Sequence, residues 1–230
     1  MEPYGTVHLV MMAVFVAGVP GAVLLGRSVA ARNLPGVSRG LAAILLAVAV
    51  SSLVLDIVTR FELGVSLPLH LSDLAWMASA VALWTRWRWA AGLTYFWGLV
   101  LTTQAIITPS LGEDLPDPRF FAFWALHLLV VWSAVYLVWG LGLAPRWREY
   151  RIVLVVTLGW AICAYAFNVA AGTNYGYLVR KPASGSILDL LGPWPVYVVA
   201  EVGIIAVIWA LMTWPWVRRA RRPRRAGVPS

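Results

Sequence analysis

His70, Ser72 and Asp73 sit together near the start of SLPLHLSDLAWMASAVALW, residues 66–84, an apolar stretch long enough to cross a bilayer. An ionisable side chain at membrane depth costs roughly 2.5–3.5 kcal/mol on insertion scales, so such a group faces protein or water and is a candidate for chemistry by default. His70 and Asp73 are three residues apart and share one helix face. Ser72 projects about 200° around the helix from His70. The three therefore converge only where that end is unwound or where a pocket wraps the helix. Pro68, two residues before His70, suits a first helical turn. Together with His127, this set of hydroxyl, imidazole and carboxylate groups suits acyl transfer or hydrolysis. A hydroxyl attacks an ester, a histidine takes its proton and a carboxylate orients the histidine, while neighbouring amides stabilise the oxyanion. A serine in a membrane helix is ordinarily a small packing residue, so the residue types alone leave that plainer reading open.

The elements that must position these groups are apolar helices. The chain has 230 residues, is 61% hydrophobic and 12% charged, and has a mean hydropathy of +0.78. Soluble domains run nearer 25% charged, so this is an integral membrane protein of the all-α class. No polar linker divides it, which predicts one bundle over residues 1–217 and a basic tail over 218–230. Seven apolar segments are predicted, at about 5–26, 39–60, 66–84, 88–108, 119–141, 150–171 and 194–216. The net charge of +8 does not point to nucleic acid, because the arginines lie in short loops and in the tail. Alternate loops carry Arg27, Arg32 and Arg39, then Arg86 and Arg88, then Arg146, Arg148 and Arg151. That bias predicts an outside N-terminus and a cytoplasmic C-terminus. Cys163, the single cysteine, excludes an internal disulfide and reads as a small core residue.

On that topology every strongly polar side chain of a span falls in the outer half. His8 lies early in span one, Asp56 late in span two, and His70, Ser72 and Asp73 early in span three. Gln104 and Thr108 lie late in span four, His127 early in span five, Asn168 late in span six and Glu201 early in span seven. The pattern predicts one polar chamber opening toward the outer leaflet, with His8 and Asp56 the candidates for merely wet helix ends. Gly172–Pro193 is the longest loop, with turn chemistry at Gly172, Asn174 and Gly176 and with Arg180 and Lys181 placed to meet a lipid phosphate. A short helix lying on the membrane is expected at Ile187–Leu191. No zinc motif, paired cysteines or glycine-rich phosphate loop is present, so no metal or cofactor is expected. No ladder of carboxylates continues through the inner half, which argues against transport.

Several strings resemble a known family: LPLHLSDLA at Leu67–Ala75, YFWGL at Tyr95–Leu99, ITPSL at Ile107–Leu111, WALH ending at His127, GTNYGYL at Gly172–Leu178, Lys181-Pro182 and LGPWPVY at Leu191–Tyr197. Together they resemble the bacterial YwaF-type integral membrane proteins, which are similar to the eukaryotic transmembrane protein 164 acyltransferase that remodels ether phospholipids. The resemblance implies a plasma-membrane protein of a bacterium that acts on lipid acyl chains. It places His70, Ser72 and His127 on the family's catalytic positions, and Asn174, Tyr175 and Lys181 on shared loop motifs. The relative uses a cysteine nucleophile with a histidine, and the bacterial pattern carries a cysteine two residues after the span-three histidine. Here that position is Ser72.

The combined expectation is a seven-helix lipid acyltransferase. His127 is its base, His70 with Asp73 the orienting pair, and Ser72 the nucleophile or oxyanion donor. Asn174, Tyr175, Lys181, Arg180, Gln104, Asn168 and Glu201 line the substrate site, and membrane lipids are the partners. A non-enzymatic lipid-binding or partner-binding membrane protein is the alternative.

Overall fold

A computed structural model describes residues 4–107, 109, 112–182 and 187–221. Thr108 and the last nine residues of the basic tail lie outside the described residues. The described chain forms seven helical rods: α1 (Thr6–Arg32), α2 (Pro35–Arg60), α3 (Leu71–Thr85), α4 (Arg88–Ile107), α5 (Pro118–Gly140), α6 (Trp147–Ala171) and α7 (Val196–Arg221). Six of them are long and apolar enough to cross a membrane.

Local chemistry fixes the ends. Pro35 and Pro118 begin α2 and α5, where a missing N–H costs nothing. The Asp117 carboxylate accepts the Arg119 N–H at 2.8 Å and caps α5. Asn33 and Gly172 close α1 and α6 in the left-handed region, at φ 50° and 68°.

The exception is α3. Its 15 residues make a rod of about 22 Å, short of the roughly 30 Å hydrocarbon core. The predicted third span began at Ser66, but Ser66–His70 is not helical, and His70 is the residue preceding the first turn. Apolar Leu67, Pro68 and Leu69 look like helix to a hydropathy reading, yet they form turns held by other elements. Irregular backbone survives at membrane depth only where protein or a cavity satisfies its polar groups.

The apolar stretches of α4 and α5 are 61% and 56% buried, against 6% for α1 and 17% for α2, α6 and α7, so α4 and α5 form the centre and α1, α2, α6 and α7 the outer ring. Ala75, Ala82, Ala90 and Ala91 are fully buried and let α3 and α4 lie close together. Phe96, Trp97, Leu83 and Leu137 fill the middle. Gly26 and Gly140 meet backbone to backbone: a Cβ added to Gly140 would stand 2.7 Å from the Gly26 Cα. Leu24, Ile162 and Val199 point outward from α1, α6 and α7. Cys163, expected in the core, is also exposed on α6.

Both α4 and α5 contain a π-helical turn, at Gly98–Thr102 and Tyr136–Gly140. Such turns shift side-chain direction and recur at functional sites.

Candidate functional site

Ser72, Asp73 and His127 line one cavity of about 60 Å³ between α3, α4 and α5, closed by Trp76, Thr102, Leu126 and Val130. The unwound segment before α3 is what brings them together. His127 lies nine residues into α5, about 14 Å along its axis, whereas Asp73 is only the third residue of α3. The first turn of α3 is therefore level with a point about two fifths of the way along α5.

His127 makes one hydrogen bond. Its Nδ1–H donates to the Phe123 carbonyl one turn earlier, at 2.7 Å, and its ring lies 4.0 Å from the Phe123 ring. Because a carbonyl only accepts, this bond fixes the proton on Nδ1 and leaves Nε2 with a free lone pair. The Ser72 hydroxyl, at the exposed rim, and the buried Thr102 hydroxyl make no hydrogen bond among the described residues. No direct bond joins Ser72 to His127. The cavity has room for about two water molecules or one ester group between them.

Asp73 is held by the helix end. Its Oδ2 accepts the His70 N–H at 3.0 Å, the reciprocal cap of the α3 N-terminus. Trp76 lines the same space one turn later. Asp73 faces a second cavity as well, of about 90 Å³, lined by His70, Asp56, Ser52 and Ser66. Asp73, Trp76 and Leu126 belong to both cavities and form the wall between them. The predicted pairing of His70 with Asp73 as orienters of His127 thus takes another form: Ser72 lines one cavity and His70 the other, and Asp73 stands between.

His70 is positioned by a chain of contacts from α6. The Asn168 side chain grips Tyr175 at both backbone groups: Oδ1 accepts the Tyr175 N–H at 2.7 Å and Nδ2 donates to its carbonyl at 2.9 Å. Thr173 Oγ1 donates to the same Oδ1 at 2.8 Å. Tyr175, fully buried, donates its hydroxyl to the Leu63 carbonyl at 2.7 Å, accepts the Leu67 N–H at 3.3 Å and packs its ring 4.7 Å from His70. Burial pushes this phenol above its ordinary range, which keeps the donating proton in place. Trp160 adds a bond to the Leu69 carbonyl at 2.9 Å. These bonds satisfy the non-helical backbone of residues 63–69 and explain the GTNYGYL string as a clamp.

Several expected substrate contacts are committed elsewhere. Asn168 and Tyr175 belong to the clamp. The Asn174 side chain closes its own loop onto Val179 and Arg180. Lys181 lies 3.6 Å from Asp189 and 5.5 Å from the Tyr197 ring, while the Arg180 side chain is exposed at the same end. Ile187–Leu191 is a short 3₁₀ helix, as expected. Gln104 is exposed on the last turn of α4, and half-buried Glu201 lines neither cavity.

The single chamber expected from the sequence is therefore two adjoining cavities fed by four helices. His8, fully buried, serves structure: its Nδ1 accepts the Tyr4 N–H at 2.8 Å and its Nε2 donates to the Ile106 carbonyl at 2.9 Å. Asp56 pairs with Arg119 at 3.0 Å. The sequence reading missed Trp76, Thr102, Leu126 and Ser52. Trp76 sits one turn after Ser72 and Asp73 and was open to discovery by helical spacing. Thr102 gave no signal, because its direction depends on the π-helical turn.

Among the described residues no group of three or more histidine, cysteine or carboxylate side chains is arranged to hold a metal. Comparison with curated proteins and with solved structures gives no match. The family comparison does: the TMEM164 family matches over residues 3–213, nearly the whole chain, so this multi-pass membrane protein belongs to the TMEM164 family.

Proposed function

We propose that the protein transfers acyl chains between membrane lipids, with the reacting ester seated in the cavity between Ser72 and His127. One observation carries this reading. A hydroxyl and an imidazole nitrogen, both without a partner among the described residues, line the same small cavity beside a carboxylate.

In the first step His127 Nε2 takes the Ser72 hydroxyl proton as Oγ bonds to the ester carbonyl carbon. The Thr102 hydroxyl donates to the oxyanion. Collapse breaks the bond to the lipid alcohol, which leaves with the proton from His127, and the acyl group stays on Ser72. A second lipid hydroxyl then attacks the acyl-serine, His127 takes its proton, and Ser72 departs and recovers it. The Asp73 carboxylate stabilises the imidazolium across the cavity. A serine alkoxide is less available than a thiolate, so the base matters more here than in a cysteine enzyme.

The loop charges support an arrangement with the cavity toward the outer leaflet and the Arg88 end in the cytoplasm. Arg180 is the cation placed to meet the lipid phosphate, since Lys181 lies beside Asp189. The likeness to the bacterial YwaF-type proteins belongs to the same proposal, and with it a plasma-membrane location. Peptide mass spectrometry after exposing the purified protein to a diacyl phospholipid is the test. An acyl mass on the peptide containing Ser72, lost in Ser72→Ala, is expected; an acyl mass only on another residue would overturn the assignment. The alternative, a site that binds a lipid ester without cleaving it, is favoured by the missing Ser72–His127 bond. It predicts retained lipid and no acylated peptide.

A further inference from the structure

At the opposite end of the bundle, Arg88, Arg146 and Arg148 line a cavity of about 440 Å³ together with Trp147 and Trp216. Arg88 and Arg148 also wall a second hollow of about 440 Å³, beside Trp87 and Glu149. The two hollows form one trough divided by guanidinium groups. We infer that this trough is a binding site for a phosphate group, supplied by an anionic phospholipid headgroup or by free phosphate.

Three observations carry it. Three guanidiniums face one carboxylate: among the described residues none of these arginines has an ion pair, and Glu149 is almost fully buried with Oε2 accepting the Arg146 backbone N–H at 3.0 Å. Arg88 donates one Nη2 proton to the Ala144 carbonyl, but its Nε is buried without a partner. A buried donor left unpaired is costly, and an anion in the trough would satisfy it. Finally, α4 and α6 both begin here, at Arg88 and Trp147, so two positive helix ends border the same space. Arginines read from the sequence only as orientation signals therefore form a built site. The tryptophans along its edge match the headgroup level of a bilayer, which favours the lipid as the source.

The test uses the full chain in nanodiscs containing phosphatidylcholine with a minor fraction of phosphatidylglycerol. Lipid retained on release from the disc is read by native mass spectrometry. The double variant R146Q/R148Q leaves the Arg88–Ala144 bond in place, so folding is preserved. Removing two arginines predicts about thirtyfold weaker phosphatidylglycerol retention. R88K, which keeps the charge but lacks the Nε donor, predicts a smaller loss. Inorganic phosphate that displaces the lipid from the wild type, but not from residual sites on the variant, supports the phosphate site. Phosphate binding that quenches tryptophan fluorescence without any lipid retention supports it with free phosphate as the source. Equal retention by wild type and double variant, with no effect of phosphate, would overturn the proposal.

Discussion

Two histidines in membrane helices, His8 near the start of α1 and His127 in α5, differ in a way their sequence contexts do not show. Both meet a backbone carbonyl. His8 uses both ring nitrogens and is fully buried, so it pins the start of α1 to the end of α4. His127 uses only Nδ1 among the described residues and lines a cavity together with Ser72 and Asp73. Counting partners, and not depth in the membrane, is what sets His127 apart from His8 as the candidate for chemistry.

That contrast breaks most sharply under substitution. His127→Ala removes the proposed base, for which a loss of about 10²–10⁴-fold in acyl-transfer rate is expected with little change in thermal stability. His8→Ala leaves the Ile106 carbonyl and the Tyr4 N–H without their partner, and about 1–3 kcal/mol of stability is expected to go, with turnover per folded molecule retained. Detergent-resolved melting curves beside rate measurements check both. Asn168→Ala tests the clamp: three hydrogen bonds to the Thr173–Tyr175 turn are lost, so the loop before α3 loosens. A fall in stability of about 1–3 kcal/mol is expected, with faster proteolysis within residues 61–70. Gly140→Ala forces a methyl group onto the Gly26 backbone, for about 1–3 kcal/mol with no specific effect on the cavity.

The smallest effect concerns Glu113, whose hydrogen bond from Arg60 holds its carboxyl below the ordinary value of 4.5. A depressed folded pKa contributes stability that is present above the unfolded value and lost as pH falls through the folded one. Acidification below about 4.5 should therefore cost under about 1 kcal/mol in the wild type, and Glu113→Gln should abolish that part of the pH dependence in a melting series.

Much of the fold was legible because a bilayer imposes length and apolarity directly. Six of the seven spans follow from hydropathy alone. Ser66–His70 was not legible: leucine and proline read alike in a helix and in a turn, and what unwinds this stretch is Tyr175, more than a hundred residues away. The convergence of Ser72, Asp73 and His127 was legible in part, since Asp73 and His127 are expensive groups in apolar spans and Ser72 adjoins one of them. Asn168 looked equally chemical, yet its amide is consumed by Tyr175, and no spacing rule reveals that. Thr102 and Trp76 were hidden for the opposite reason, being ordinary residues in apolar helices that gain meaning only from the cavity they face.

The most direct measurement is transfer of an isotope-labelled acyl chain from a phospholipid to a lysophospholipid in proteoliposomes. Wild type, His127→Ala and His8→Ala are compared at equal amounts of folded protein. Transfer by the wild type, retained in His8→Ala and reduced at least about a hundredfold in His127→Ala, is the predicted result. Equal transfer by the two histidine variants, or none by the wild type, would contradict the account.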